Sequence, residues 1–176
     1  MIPDIELRLD SVRRALTEVI LPAIDAGNSL AIEQTMLAIG HIGMIMGQAD
    51  NAADYVAICF VDLAQTMADL PGAVEADTQA AAAALSAALS LPGQGEDGRA
   101  AYRTATGALE YLIRTADGDG NTKFRHELRR RVLAFTKRQA GRERSWFGAS
   151  GFDPDARTLP SIADMISAAR ENTRGS

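Results

Sequence analysis

Met36-Leu37-Ala38-Ile39-Gly40-His41-Ile42-Gly43-Met44-Ile45-Met46-Gly47 is the stretch on which the fold turns. Nearly every residue in it is apolar. Asn28-Ser29, just upstream, offers side chains that accept from the free amides of a first helical turn. No proline follows until Pro71. The pattern predicts a helix apolar on all sides, the kind that sits in the middle of a core. Its shortness, and its interruption by His41 and the glycines, argue against a membrane span.

Gly40, Gly43 and Gly47 stand at i, i+3 and i+7. At ~100° per residue they share one face with Met36 and Met44. A glycine inside a helix costs about 1 kcal/mol relative to alanine, so three on one face call for an offsetting contact. One account is close approach of another helix, from this chain or across a dimer two-fold. The other is a groove with a glycine floor, roomy enough for a small apolar ligand. Glu33 lies on the same face before the glycines, and Asn51 and Asp54 lie on it after them. A continuous helix would therefore carry a carboxylate at each end of the groove. Gln34, His41 and Gln48 form a second polar line beside it. A lone histidine among apolar residues is more often a hydrogen-bonded core residue than an acid/base group, and both readings of His41 stay open.

Beyond Asp50 the pattern becomes two-sided. Val56, Phe60, Leu63, Met67 and Leu70 make an apolar stripe, with Asp54, Asp62, Gln65 and Asp69 opposite as an acidic outer face. The long helix is expected to kink or break within residues 47–51. Upstream, Asp4 to Leu21 reads as a first helix with the core stripe Ile5, Leu9, Val12, Leu16 and Val19. An Asp10–Arg14 pair decorates it, and Pro22 halts or kinks it.

Downstream, Pro71-Gly72 ends the central stretch, and Ala73 to Leu91 reads as an alanine-rich helix. Residues 92–98 form a loop. Arg99 to Ala116 is the next helix, with Gly107 marking a close crossing. Asp117-Gly118-Asp119-Gly120-Asn121 imitates the start of an EF-hand calcium loop. Thr122 and Leu128 occupy the positions where that loop needs glycine and glutamate, so the segment is a turn that caps the next helix. That helix, Thr122 to about Ala140, is strongly basic and buries Phe124, Leu128, Val132 and Phe135. An aromatic and glycine-rich loop over residues 145–158 follows, then a short last helix from Thr158-Leu159-Pro160-Ser161 and a frayed tail over 172–176.

With 176 residues and 47% hydrophobic content the chain suits one domain, residues 1–176. Period-two alternation is missing, so almost no sheet is expected. The fold class that follows is all-α: five helices in a mostly antiparallel bundle, with a short sixth helix at the C-terminus. The net charge of −5 hides an asymmetry. Residues 1–98 carry 14 acidic and 3 basic side chains, against 9 and 15 in residues 99–176. That segregation favours docking of late helices on early ones, or association between copies.

Cys59 is the only cysteine, so neither a disulfide framework nor a cysteine zinc site exists within the chain. The basic and apolar regions of a signal peptide are missing at Met1 to Glu6, and a cytoplasmic protein is the expectation. Abundant alanine, and arginine in preference to lysine, fit a bacterial origin. The sequence lacks a phosphate loop, a Glu-x-x-His pair and a nucleophile elbow. No metal or other cofactor is expected. The basic helix spreads its charges around its circumference instead of along one band, which argues against nucleic-acid binding.

The leading functional expectation is a non-catalytic helical interaction protein, for instance an accessory subunit of a cytoplasmic enzyme, working as a homodimer or with a protein partner. Arg142, Arg144, Trp146, Phe147 and Phe152 are the candidate partner-binding residues, because Trp and Arg are the usual anchors of interfaces. The alternative is an enzyme or a binder of a small apolar ligand. It would use a groove of Met36, Gly40, Gly43, Met44 and Gly47, with His41 as acid/base or anchor and Glu33 and Asp54 as its polar ends.

Overall fold

A computed structural model describes residues 4–93, 97–150 and 153–174. Its described residues are all-helical, without a strand. The helices are α1 (Ile5–Ala15), α2 (Ser29–Ala49), α3 (Ala52–Met67), α4 (Ala76–Leu89), α5 (Gly98–Ala116), α6 (Thr122–Trp146) and α7 (Ile162–Arg174). Seven replace the expected six because the central stretch breaks at Asp50-Asn51. There the Asn51 N–H turns back to the Gln48 carbonyl at 3.1 Å. The last helix runs past Asn172, where fraying was expected. The chain divides into two compact units, one of Met1–Asn51 with Arg144–Leu159, the other of Ala52–Glu143 with Pro160–Ser176.

The first unit is a helical hairpin closed by the segment after α6. The Asp4 side chain caps α1 by accepting the Leu7 N–H at 3.2 Å. Before Pro22, which has no N–H to donate, the helical ladder widens into a π turn over Leu16–Ile20 and ends with Leu21–Ala23. Asp10 pairs with Arg13 at 2.6 Å, not with Arg14, which reaches Glu18 at 3.1 Å. The Asn28 side chain caps α2 as its sequence position suggests, accepting the Ala31 N–H at 3.2 Å.

The expected loop at 145–158 begins later than its composition suggests and holds short helical turns. Ser145 and Trp146 finish α6, and two 3-10 turns follow, Gly148–Ser150 and Ala156–Thr158. Gln48 Nε2 donates to the Trp146 carbonyl at 2.8 Å, tying this segment to α2. Ser145 is buried, and among the described residues its Oγ has no hydrogen-bond partner. Ser145→Ala is therefore expected to be neutral or to stabilise by up to about 1 kcal/mol, since it removes an unsatisfied hydroxyl from a helix. Urea unfolding checks this, and a loss above about 1 kcal/mol would show that the hydroxyl is bonded.

The second unit holds the core. Phe60, Leu63 and Met67 of α3 meet Ala81, Leu85 and Ala88 of α4, Ala105, Leu109 and Leu112 of α5, and Phe124, Leu128 and Phe135 of α6. The alanines at 81, 88, 101 and 105 are nearly or fully inaccessible, and such short side chains let α4 and α5 pack closely. Gly107, by contrast, is exposed with nothing above it and marks no crossing. Gly93 makes the close approach instead: it lies so near the Phe60 ring that a Cβ would overlap it. On its other side α3 packs Ile58 and Cys59 against Met165 and Ile166 of α7.

Two backbone anchors brace this unit. Asp119, in the segment resembling a calcium loop, is buried. Its Oδ2 accepts the amides of Val74 and Glu75, each at 3.0 Å, and its Oδ1 accepts that of Asn121 at 2.8 Å. Burial alone would raise this carboxyl, but those amides overturn the effect and hold it below the usual range. Asn121 caps α6 by accepting the amides of Lys123 and Phe124, as its place in the turn predicts. Arg131 donates to the carbonyls of Thr66, Ala68 and Asp69, satisfying the otherwise free end of α3.

Candidate functional site

α2 is the most apolar long helix of the chain, yet none of its 21 residues is buried. One arc packs against α1 and the π turn that follows it, and the Gly148–Ser150 turn also touches the helix. The other arc faces outward and carries Leu30, Met36, Leu37 and Ile45, together with Gly40, Gly43 and Gly47. The three glycines have open space where a Cβ would stand. Among the described residues nothing lies within 4 Å of those positions, so the close helix contact expected to offset the cost of the glycines is not seen there.

A groove of about 520 Å³ runs along this arc. Ile32, Met36, Leu37, Gly40 and Met44 line it from α2, and Ala149 and Ser150 line it from the turn after α6. Glu33 and His41 also line it, and both are exposed. Five residues expected at the site thus come together: Met36, Gly40, Met44, Glu33 and His41. Gly43 and Gly47 share the helix face but do not line the groove. Asp54 is not its far end. The break at Asp50-Asn51 separates it from α2, and in the second unit it pairs with Arg170 at 2.5 Å.

His41 is a surface residue, contrary to the core-histidine reading. Among the described residues no hydrogen bond or ion pair holds either His41 or Glu33. By length and composition α2 is long and apolar enough to cross a membrane, with a mean hydropathy of 1.3. The helix is longer than the run 36–46 on which the shortness argument rested, and Glu33, Gln34 and His41 interrupt it.

The candidate partner-binding residues scatter. Arg142 is mostly buried in the second unit and pairs with Asp62 at 2.6 Å. Arg144 binds Asp153 at 2.7 Å and Asp155 at 2.9 Å, and holds the Asp153 carboxyl down at about 2. Trp146 is half-buried, while Phe147 is exposed. Phe152 lies outside the described residues.

Sequence reasoning placed Asp62 on an acidic outer face, but it is buried. Arg138 Nε and Nη2 donate to it at 3.0 and 2.7 Å, and Arg142 joins from the next turn of α6. Nearby, Gln139 Nε2 donates to the Tyr55 hydroxyl at 3.1 Å, beside the fully buried Cys59. Burial pushes the Cys59 thiol up, which fits the inert thiol expected there. The spacing of Arg138 and Arg142 four residues apart was the only signal for this cluster, since it presents two guanidiniums to one carboxylate.

No protein-family model, curated protein or solved structure matches this chain.

Proposed function

We propose that this is a non-catalytic helical interaction protein whose docking surface is the open arc of α2 and the groove along it. The observation that carries the reading is an apolar 21-residue helix with no buried residue. Between Ile5 and Ile45 nine large apolar side chains are 41 to 68% exposed: Ile5, Leu7, Val12, Val19, Ile20, Leu30, Met36, Leu37 and Ile45. The four on α2 each offer on the order of 100 Å², about 400 Å² together, the size of the largest apolar patch on a monomer, which is often functional. Ile5, Val12 and Val19 belong to the stripe expected to be core. The hairpin is in effect half a core.

The test is Met36→Glu combined with Leu37→Glu, followed by native mass spectrometry and circular dichroism. Both side chains are exposed, so helicity should persist while any assembly the wild-type chain forms is lost. Assembly that survives both charges would count against this surface. A second reading, an apolar ligand in the groove, is favoured by the meeting of Met36, Gly40 and Met44 with Glu33 and His41. A small apolar mass that leaves on denaturation, and is missing from Met36→Glu, would support it.

A further inference from the structure

We infer that the occupant of the α2 surface is a second copy of this chain, docked antiparallel, α2 against α2. The inference rests on the reading of α2 as a docking surface and names its partner. The exposed arc is unevenly built along its length. Its first half carries most of the bulk, Leu30, Met36 and Leu37; its second half carries the holes, Gly40, Gly43 and Gly47, with Ile45 at the edge of the arc. An antiparallel copy lays bulk on holes twice over, placing Leu30 opposite Gly47 and Leu37 opposite Gly40. A parallel copy would set bulk on bulk and leave the glycines facing one another.

The same register brings Glu33 of one copy to Met44 of the other, within one turn of that copy's His41. Both copies of each exposed polar group thereby gain a candidate partner, as a two-fold contact requires. Leu30, Met36, Leu37 and Ile45 offer on the order of 400 Å² per copy, so the contact belongs to the small, reversible class below ~1,200 Å² in total. A bilayer fits less well. Glu33, Gln34 and His41 would enter hydrocarbon, and the residues flanking α2 are the acidic Asp25 and Asp50, not the Lys and Arg that anchor a span.

The glycines supply a test that unfolding cannot imitate. Space above them is open in the single chain, so Gly40→Leu with Gly47→Leu should preserve or raise thermal stability by improving helix propensity. The same change fills the holes a second copy needs. Sedimentation equilibrium of the full chain should show a dimer at micromolar concentration, weakened by at least about 100-fold in the double variant. Mixing Leu30→Cys with Gly47→Cys chains should give an oxidised cross-linked pair, while neither variant alone cross-links through its new thiol. A dimer indifferent to the glycine substitutions, or cross-linking of Leu30→Cys with itself, would overturn the antiparallel contact. A chain monomeric up to about 100 μM would overturn the second copy as occupant. If that monomer binds phosphatidylcholine vesicles through Met36 and Leu37, or holds an apolar small molecule, α2 is still a docking surface. If it does neither, the docking reading fails as well.

Discussion

Replacing Phe124 by alanine is expected to destabilise the second unit by about 4 kcal/mol, the usual cost of removing a buried aromatic and leaving part of its cavity empty. Phe124 is fully inaccessible and the largest of the completely buried side chains. It sits in the first turn of α6, within the cluster formed by α3, α4 and α5. Its amide is bonded to the Asn121 cap at 3.2 Å, so the backbone around it is braced and collapses poorly onto a void. Urea unfolding followed by circular dichroism gives the number. A loss under about 1 kcal/mol would mean that the core is looser than its burial implies.

Asp62→Ala should cost about 3 kcal/mol, because it strands guanidinium charge inside the fold. Arg142 accounts for most of this, with only 12% of its side chain exposed; Arg138 is 44% exposed, and water screens its share. Burial alone would raise the Asp62 carboxyl. The hydrogen bonds and charges of Arg138 and Arg142 together outweigh burial and hold it below its ordinary value. A carboxylate depressed in the folded state contributes stability above its unfolded pKa, ~4, and that contribution is lost as pH falls through the folded value. Wild-type stability should therefore drop on acidification below about pH 4, and the drop should be shallower in Asp62→Ala. Equal slopes in the two proteins would show that the ion cluster does not govern the acid limb.

The all-helical class and the approximate helix positions were legible in local pattern. The Asn28 and Asn121 caps, the stop near Pro22, and the buried residues Phe124, Leu128 and Phe135 all follow from residue type and spacing. Helix faces were legible only where a single neighbour covers them. α3 is covered on more than one side, by the α4–α5–α6 cluster and by α7, so the one-stripe reading put Asp62 in water. α1 and α2 erred the other way: their apolar stripes predict burial, yet within this chain much of each stripe remains uncovered. For the candidate site, the shared face of Glu33, Met36, Gly40 and Met44 was readable from helical phase alone. The exclusion of Asp54 was not, because it depends on which of Gly47 to Asn51 ends the helix.

The sequence by itself determined what each segment becomes. Periodicity, caps, glycines and prolines act over a few residues, and local backbone energetics settles them. Only the tertiary structure decided which apolar faces meet one another and which stay open. Pairing depends on contacts between residues far apart in the chain, such as Asp62 with Arg142 or Phe60 with Gly93. A stripe of leucine and methionine states that something must cover it, and only the tertiary structure shows that, among the described residues, Leu30, Met36, Leu37 and Ile45 of α2 stay exposed.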